Sequence, residues 1–199
     1  MNIEKLNLTG SRPLDPTSLS DKDRALLDRF PADYQDFVRS INGGQLEGSD
    51  WFFPTNIPPP SNAPYNTAVA GVSELWPFAG VINERIEHVD SEFLPTNVYA
   101  IGCTANDCLI CLSLDAHNYG TVYYWDYRWQ HPWLKPTFVA RIEETKERFG
   151  DVDAILDDPN HPQFVEVGDA LNYATLTRIA GSFSEFIDAL WEEEEELLS

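Results

Sequence analysis

Cations are scarce in this sequence. Thirteen lysines and arginines stand against 33 aspartates and glutamates, for a net charge of −20. A field of that sign repels phosphate backbones and anionic lipids, so neither direct nucleic-acid binding nor membrane attachment is expected. It serves solubility as readily as it steers a basic partner, and charge alone does not choose between them. Long apolar runs are also missing: nothing approaches the roughly 18 residues that a spanning helix requires. The opening "MNIEKLNLTGSRPL" lacks the charged head, apolar middle and small-residue cleavage site of a secretory signal. A cytoplasmic protein is the expectation. Cysteine is sparse, and its odd count of three argues against structural disulfides in such a compartment.

Those three cysteines, Cys103, Cys108 and Cys111, lie near His117, and a Cys-x-x-Cys spacing invites a zinc or redox reading. The pair falls in a strand-like run, however, where an offset of three sends side chains to opposite faces. No second pair exists, and no glycine or proline separates the two to form a metal knuckle. Buried small hydrophobes are expected instead, with no metal and no cofactor. "DVDAILDDPNHP" imitates a calcium loop but carries Ile155, Leu156 and Pro162 where ligands and a glycine are required. The four histidines, His88, His117, His131 and His161, sit in no hydrolase frame, and no glycine-rich loop opens a helix to hold phosphate. No catalytic residue is assigned, and no enzyme is expected.

What is present is the composition of a folded domain: 43% hydrophobic residues and six tryptophans in 199 residues, enough for a real core. Thr17 to Arg29 reads as a short helix, with Ser20 as cap and Asp23 three residues on. In "FPADYQDFVRSINGG", Pro31 suits a first helical position, and Tyr34, Phe37, Val38 and Ile41 share one face. Asn42-Gly43-Gly44 then stops the helix. "QLEGSDWFFP" reads as a strand, 54–66 as a proline-rich insertion, and Thr67 to Trp76 as another strand before a helical or irregular piece to His88.

"NVYAIG", "CLICLSL" and "GTVYYWDY" are β-prone runs divided by turn material, which predicts an antiparallel meander. A variable region near 130–172 contains a helical pattern from Thr137 to Phe149. "TLTRIAGSFSEFIDALWEEEEELLS" makes a strand-like step and then a helix, with a capping box at Ser182 and Glu185. Phe183, Phe186, Ile187, Leu190 and Trp191 supply that helix's expected buried stripe. The glutamate run after Trp191 opposes the helix dipole, so it is expected to fray, as a solvated tail or a contact for a basic partner. The fold class is therefore α+β: an antiparallel sheet with helices packed around it.

"YYWDYRWQHPW", Tyr123 to Trp133, mixes aromatics and an acid in a segment that Pro132 breaks into a loop. Amphipathic aromatics beside acids suit a protein–protein contact, although they can equally fold back over the core. Asp50, Trp51, Asp126, Tyr127, Trp129 and Trp133 are accordingly the candidate partner-binding residues. They combine acid and aromatic character near predicted strand ends.

Three separated segments share a further likeness. "RFPADYQDFVRSINGGQLEG" resembles the signature Leu/Phe-Pro-x-x-Tyr-x-x-Phe-x-x-x-Asn-Gly-Gly of the SMI1/KNR4, or SUKH, superfamily. "FLPTNVYAIGCTANDCLICLSLDAHNYGTVYYWDY" is similar to that family's central meander, and "IAGSFSEFIDAL" to its closing element. The turn "CTAND" departs from the glycine-rich acidic turn common there, and the segment before the last helix is long. The resemblance implies a single domain over 17–191, with 1–16 as an N-terminal extension and 192–199 as an acidic tail. It also implies a non-catalytic protein that binds a protein partner: an immunity protein neutralising a cognate toxin, many such toxins being nucleases, or a regulator binding an endogenous protein. The acidic charge adds the expectation that the toxin domain is basic. Tyr34, Phe37, Asn42, Gly43 and Gly44 are assigned to the fold.

Overall fold

The computed structural model describes residues 3–46, 51–59, 61, 66–82 and 94–192. Among them an antiparallel sheet of nine strands forms the centre. Its main path runs β1 (Leu8–Thr9), β2 (Gly44–Leu46), β4 (Val69–Leu75), β5 (Val98–Thr104), β6 (Leu109–Ser113), β7 (Val122–Trp125) and β8 (Leu176–Ala180), while β3 (Trp51–Pro54) joins β4 to the short β9 (Trp191–Glu192). The predicted meander is β5–β6–β7. The turn at 104–108 closes because Asp107 adopts a left-handed φ of 59° and its N–H donates to the Thr104 carbonyl. The α+β expectation stands.

Helices α1 (Asp21–Leu27), α2 (Ala32–Ser40) and α6 (Phe183–Ala189) cover one face of this sheet. Ser20 caps α1, accepting from the Asp23 N–H, and Thr17 lies in a separate 3₁₀ turn before it. Pro31 is the N-cap of α2, one position earlier than expected. The α2 stripe holds: Tyr34, Phe37 and Val38 are wholly buried, and Phe183 of α6 meets Tyr34 edge-on at 5.1 Å. Full burial of one such phenylalanine contributes about 1.5–3 kcal/mol. Asp33 ties the two helices, accepting from the Ser184 N–H at 2.8 Å.

Gly43 fixes how α2 meets the sheet. Its φ is +85°, and a Cβ there would stand 2.5 Å from the Pro77 nitrogen. Asn42, also left-handed, accepts the Phe78 N–H at 2.9 Å. The Asn-Gly-Gly stop is therefore also the clamp between α2 and the end of β4. The expected single strand over "QLEGSDWFFP" is two, β2 and β3. The part of the proline-rich insertion at 60 and 62–65 lies outside the described residues; of the piece expected to reach His88, 78–82 is helical and 83 onward lies outside them.

The variable region is helical: α3 (Lys135–Phe149), α4 (Val152–Leu156) and α5 (Phe164–Thr175) all lie between β7 and β8, which pair directly. Val152, Ile155 and Val167 form a small core of their own. The first part of the acidic piece 151–162 is helical because Asp151 caps α4, accepting from the Ala154 N–H. Within the variable region, α5 docks on the sheet's second face, where Tyr173 meets Tyr123 and Asp169 accepts from Thr96 N–H and Oγ, whereas Phe138 of α3 is buried in the main core. The segment taken as an N-terminal extension contributes β1 and the buried Leu6 to the domain.

Helix α6 ends sooner than its hydrophobic pattern suggests. Leu190 is extended, and Trp191 leaves the helix for β9, opposite Phe52. Trp191 is 41% exposed, which corrects its placement in the buried stripe. The glutamates beyond Glu192 lie outside the described residues. No helix among those described is long and apolar enough to cross a membrane.

Candidate functional site

The aromatic segment leaves β7 at Trp125 and turns sharply. Asp126 makes the turn: its Oδ1 accepts the Arg128 N–H at 2.9 Å and caps the 3₁₀ turn Tyr127–Gln130. Both carboxylate oxygens also accept from the Arg128 guanidinium, at 2.8 Å each. Cys108 Sγ lies 3.5 Å from the same Oδ1. Asp126 is 1% exposed. A carboxylate so buried and so fully paired serves the fold and offers no charge to a partner. This takes Asp126 off the expected contact surface. The hydrogen bonds that Arg128 donates to Asp126 push its guanidinium up, against the effect of burial, and keep it charged. Burial first, and the Asp126 charge second, push the Cys108 thiol up.

On this brace the aromatics diverge. Tyr127 stands out at 51% exposure, with the Arg128 guanidinium 5.9 Å from its ring centre. Trp129 is half-buried and meets Phe138 edge-on at 6.5 Å, so part of its ring belongs to the core. Trp133 is half-buried and stacks on His131, ring centres 3.9 Å apart and 13° from parallel. The structure thus gathers Tyr127, Trp129 and Trp133 at one corner, between β7 and α3. It separates Trp51, which is buried beneath the β3 edge with Lys5 Nζ 5.4 Å over its ring. Asp50 lies outside the described residues.

Other chemistry finds little footing. Cys108 points into the main core and Cys111 into the core of the second face, as the strand offset requires. Burial pushes the Cys111 thiol far up. His117 is exposed, and His161 Nδ1 accepts the Gln163 N–H at 3.2 Å. Among the described residues no three histidine, cysteine or acidic side chains gather as a metal site. A shallow cleft beside the Asn42–Gly44 turn, as apolar as it is polar, is lined by Thr9, Gln45, Glu74 and Pro77. Asn42, which also lines it, is committed to the Phe78 N–H.

Sequence reasoning passed over Phe52 and placed Trp191 in a buried stripe; their rings lie 6.3 Å apart on the outer side of the β3–β9 pair. The signal was faint: the apolar stripe of α6 runs into Trp191 without a break. The model of the SMI1 / KNR4 family (SUKH-1) matches residues 13–189, ending at the last residue of α6. No curated protein matches the chain.

Proposed function

Because this chain belongs to the SMI1 / KNR4 family (SUKH-1), we propose that it is a non-enzymatic immunity protein that binds and neutralises a cognate toxin domain. The corner formed by Tyr127, Trp129 and Trp133 carries the reading: exposed and half-exposed aromatics held on a buried ion pair make a preorganised contact. The toxin is basic, because a net charge of −20 accelerates encounter with a cationic surface and slows it with an anionic one. Inhibition then consists of covering the toxin's substrate site or holding it in an inactive shape.

The test is capture of the partner from source-cell lysate, identified by mass spectrometry, followed by co-expression. A captured domain whose expression kills cells, and whose toxicity this chain relieves, supports immunity. The double variant Tyr127→Ala, Trp133→Ala should then relieve it less. A housekeeping protein in the capture, with no toxicity to relieve, would replace this reading with that of a regulator.

A further inference from the structure

One edge of the sheet is split. β2 pairs with Glu74 and Leu75 of β4, β3 pairs with Val69 to Val72, and both take the side of β4 that β5 leaves free. Left to themselves, these strands would offer the backbone of three and four residues to another chain. Neither is left so. β1 covers β2 and β9 covers β3, each with two residues. Strands so short make poor templates for further pairing. Beyond the part that β9 covers, β3 ends in Pro54, which has no N–H to offer. Both covers lie outside residues 13–189, the extent of the family match.

The two covers are also tied to each other. The 3₁₀ turn Ile3–Lys5 precedes β1 and is anchored by Leu6, which is buried in the main core. From this turn Lys5 reaches the segment that follows α6. Its Nζ donates to the Leu190 carbonyl at 2.8 Å and to the Asp188 carbonyl at 3.2 Å. These carbonyls lie at the C-terminal end of α6, where a cation also meets the negative end of the helix dipole. The same ammonium stands 5.4 Å over the ring of Trp51, the β3 residue opposite Glu192. One cation thus touches β3, the end of α6 and the residue from which β9 starts. We infer that β1 and β9 form a lock on the split edge, closed by Lys5, which keeps that edge from pairing with a second copy of this chain. The inference does not draw on the proposed function.

The experiment compares the full chain with Lys5→Met, which keeps the aliphatic stem and loses the ammonium, by amide hydrogen exchange and sedimentation velocity. Exchange at the amides shared between β3 and β9 should rise about tenfold, while β5 and β6 stay protected. Lys5→Arg, which keeps a cationic donor, should retain most of the protection. The Lys5→Met chain should also self-associate at lower concentration than the native one. As its concentration rises, the β3 amide that faces β9 should regain protection. Should Lys5→Met fail to fold, Lys5→Gln takes its place with the same expected readings. Unchanged exchange at the β3–β9 amides would show that Lys5 closes nothing and overturn the inference. So would an open β9 without added self-association, or self-association that leaves the β3 amide unprotected. None of these failures touches the toxin reading, because no toxin enters the assay.

Discussion

Asp126 shows how a single residue can be conspicuous in a sequence for one reason and important in the molecule for another. Among aromatics it reads as a charge offered to a partner, yet its oxygens are consumed by the Arg128 guanidinium and backbone. Asp126→Ala should cost roughly 3 kcal/mol, since it strands a partly buried guanidinium and opens the 3₁₀ turn. Asp126→Asn should cost less, because an amide oxygen still accepts from the Arg128 N–H. The urea midpoints of the two variants measure the difference. Burial also raises the Cys108 and Cys111 thiols in the folded state above their unfolded values. The folded chain therefore binds more protons, and this contribution to stability, complete below about pH 8.5, is lost as pH rises beyond it. Urea midpoints should accordingly fall from pH 8 to pH 10, and both thiols should react with a disulfide reagent only on unfolding.

Among the elements, the outer edge of β8 is guarded. Its Leu176 carbonyl accepts from Arg141 of α3, and its Arg178 carbonyl from Asn56 in the loop after β3, each at 2.8 Å. An edge strand with free carbonyls invites pairing with another chain, and two side chains from distant segments occupy these. Arg141→Met with Asn56→Gly keeps the aliphatic stem and the left-handed backbone while removing both donors. The pair should lose about 2 kcal/mol and self-associate at concentrations where the native chain does not, as sedimentation would show. The α2 stop behaves differently. Gly43→Ala pushes a methyl into the Pro77 backbone and should cost well over 2 kcal/mol, whereas Gly150→Ala, in open space at φ +78°, should cost only about 1. Thermal unfolding of the two variants makes the comparison.

At the scale of the whole molecule, a nine-stranded sheet carries a three-helix excursion with its own small core. Phe138 in the main core and the Arg141–Leu176 bond anchor α3, while the Asp169–Thr96 clip and the Tyr173–Tyr123 ring pair hold α5. Asp169→Ala should therefore raise amide hydrogen exchange in α5 while α3, β5 and β6 stay protected. The net charge acts at this scale too. Association with a basic partner should slow several-fold between low and high salt, with dissociation changing little, as stopped-flow measurements would report.

The sequence alone determined whatever depends on neighbours along the chain. The caps at Ser20 and Ser182, the apolar face of α2, the glycine stop and the β5–β7 meander are all written in local periodicity and turn chemistry, and with them the fold class and the family. The candidate site was only partly legible. The segment 123–133 announces aromatics at a turn, but which of them face water depends on α3 arriving over Trp129 and Arg128 closing on Asp126. Trp191 continues a helical stripe by spacing and belongs to a strand by contact, because β3 offers it a pairing edge and a Phe52 ring that no local pattern encodes. Exposure is a property of what packs against a residue, and for Trp51, Asp126 and Trp191 those partners come from distant parts of the chain or from the turn that the fold imposes. Only the tertiary structure decided them.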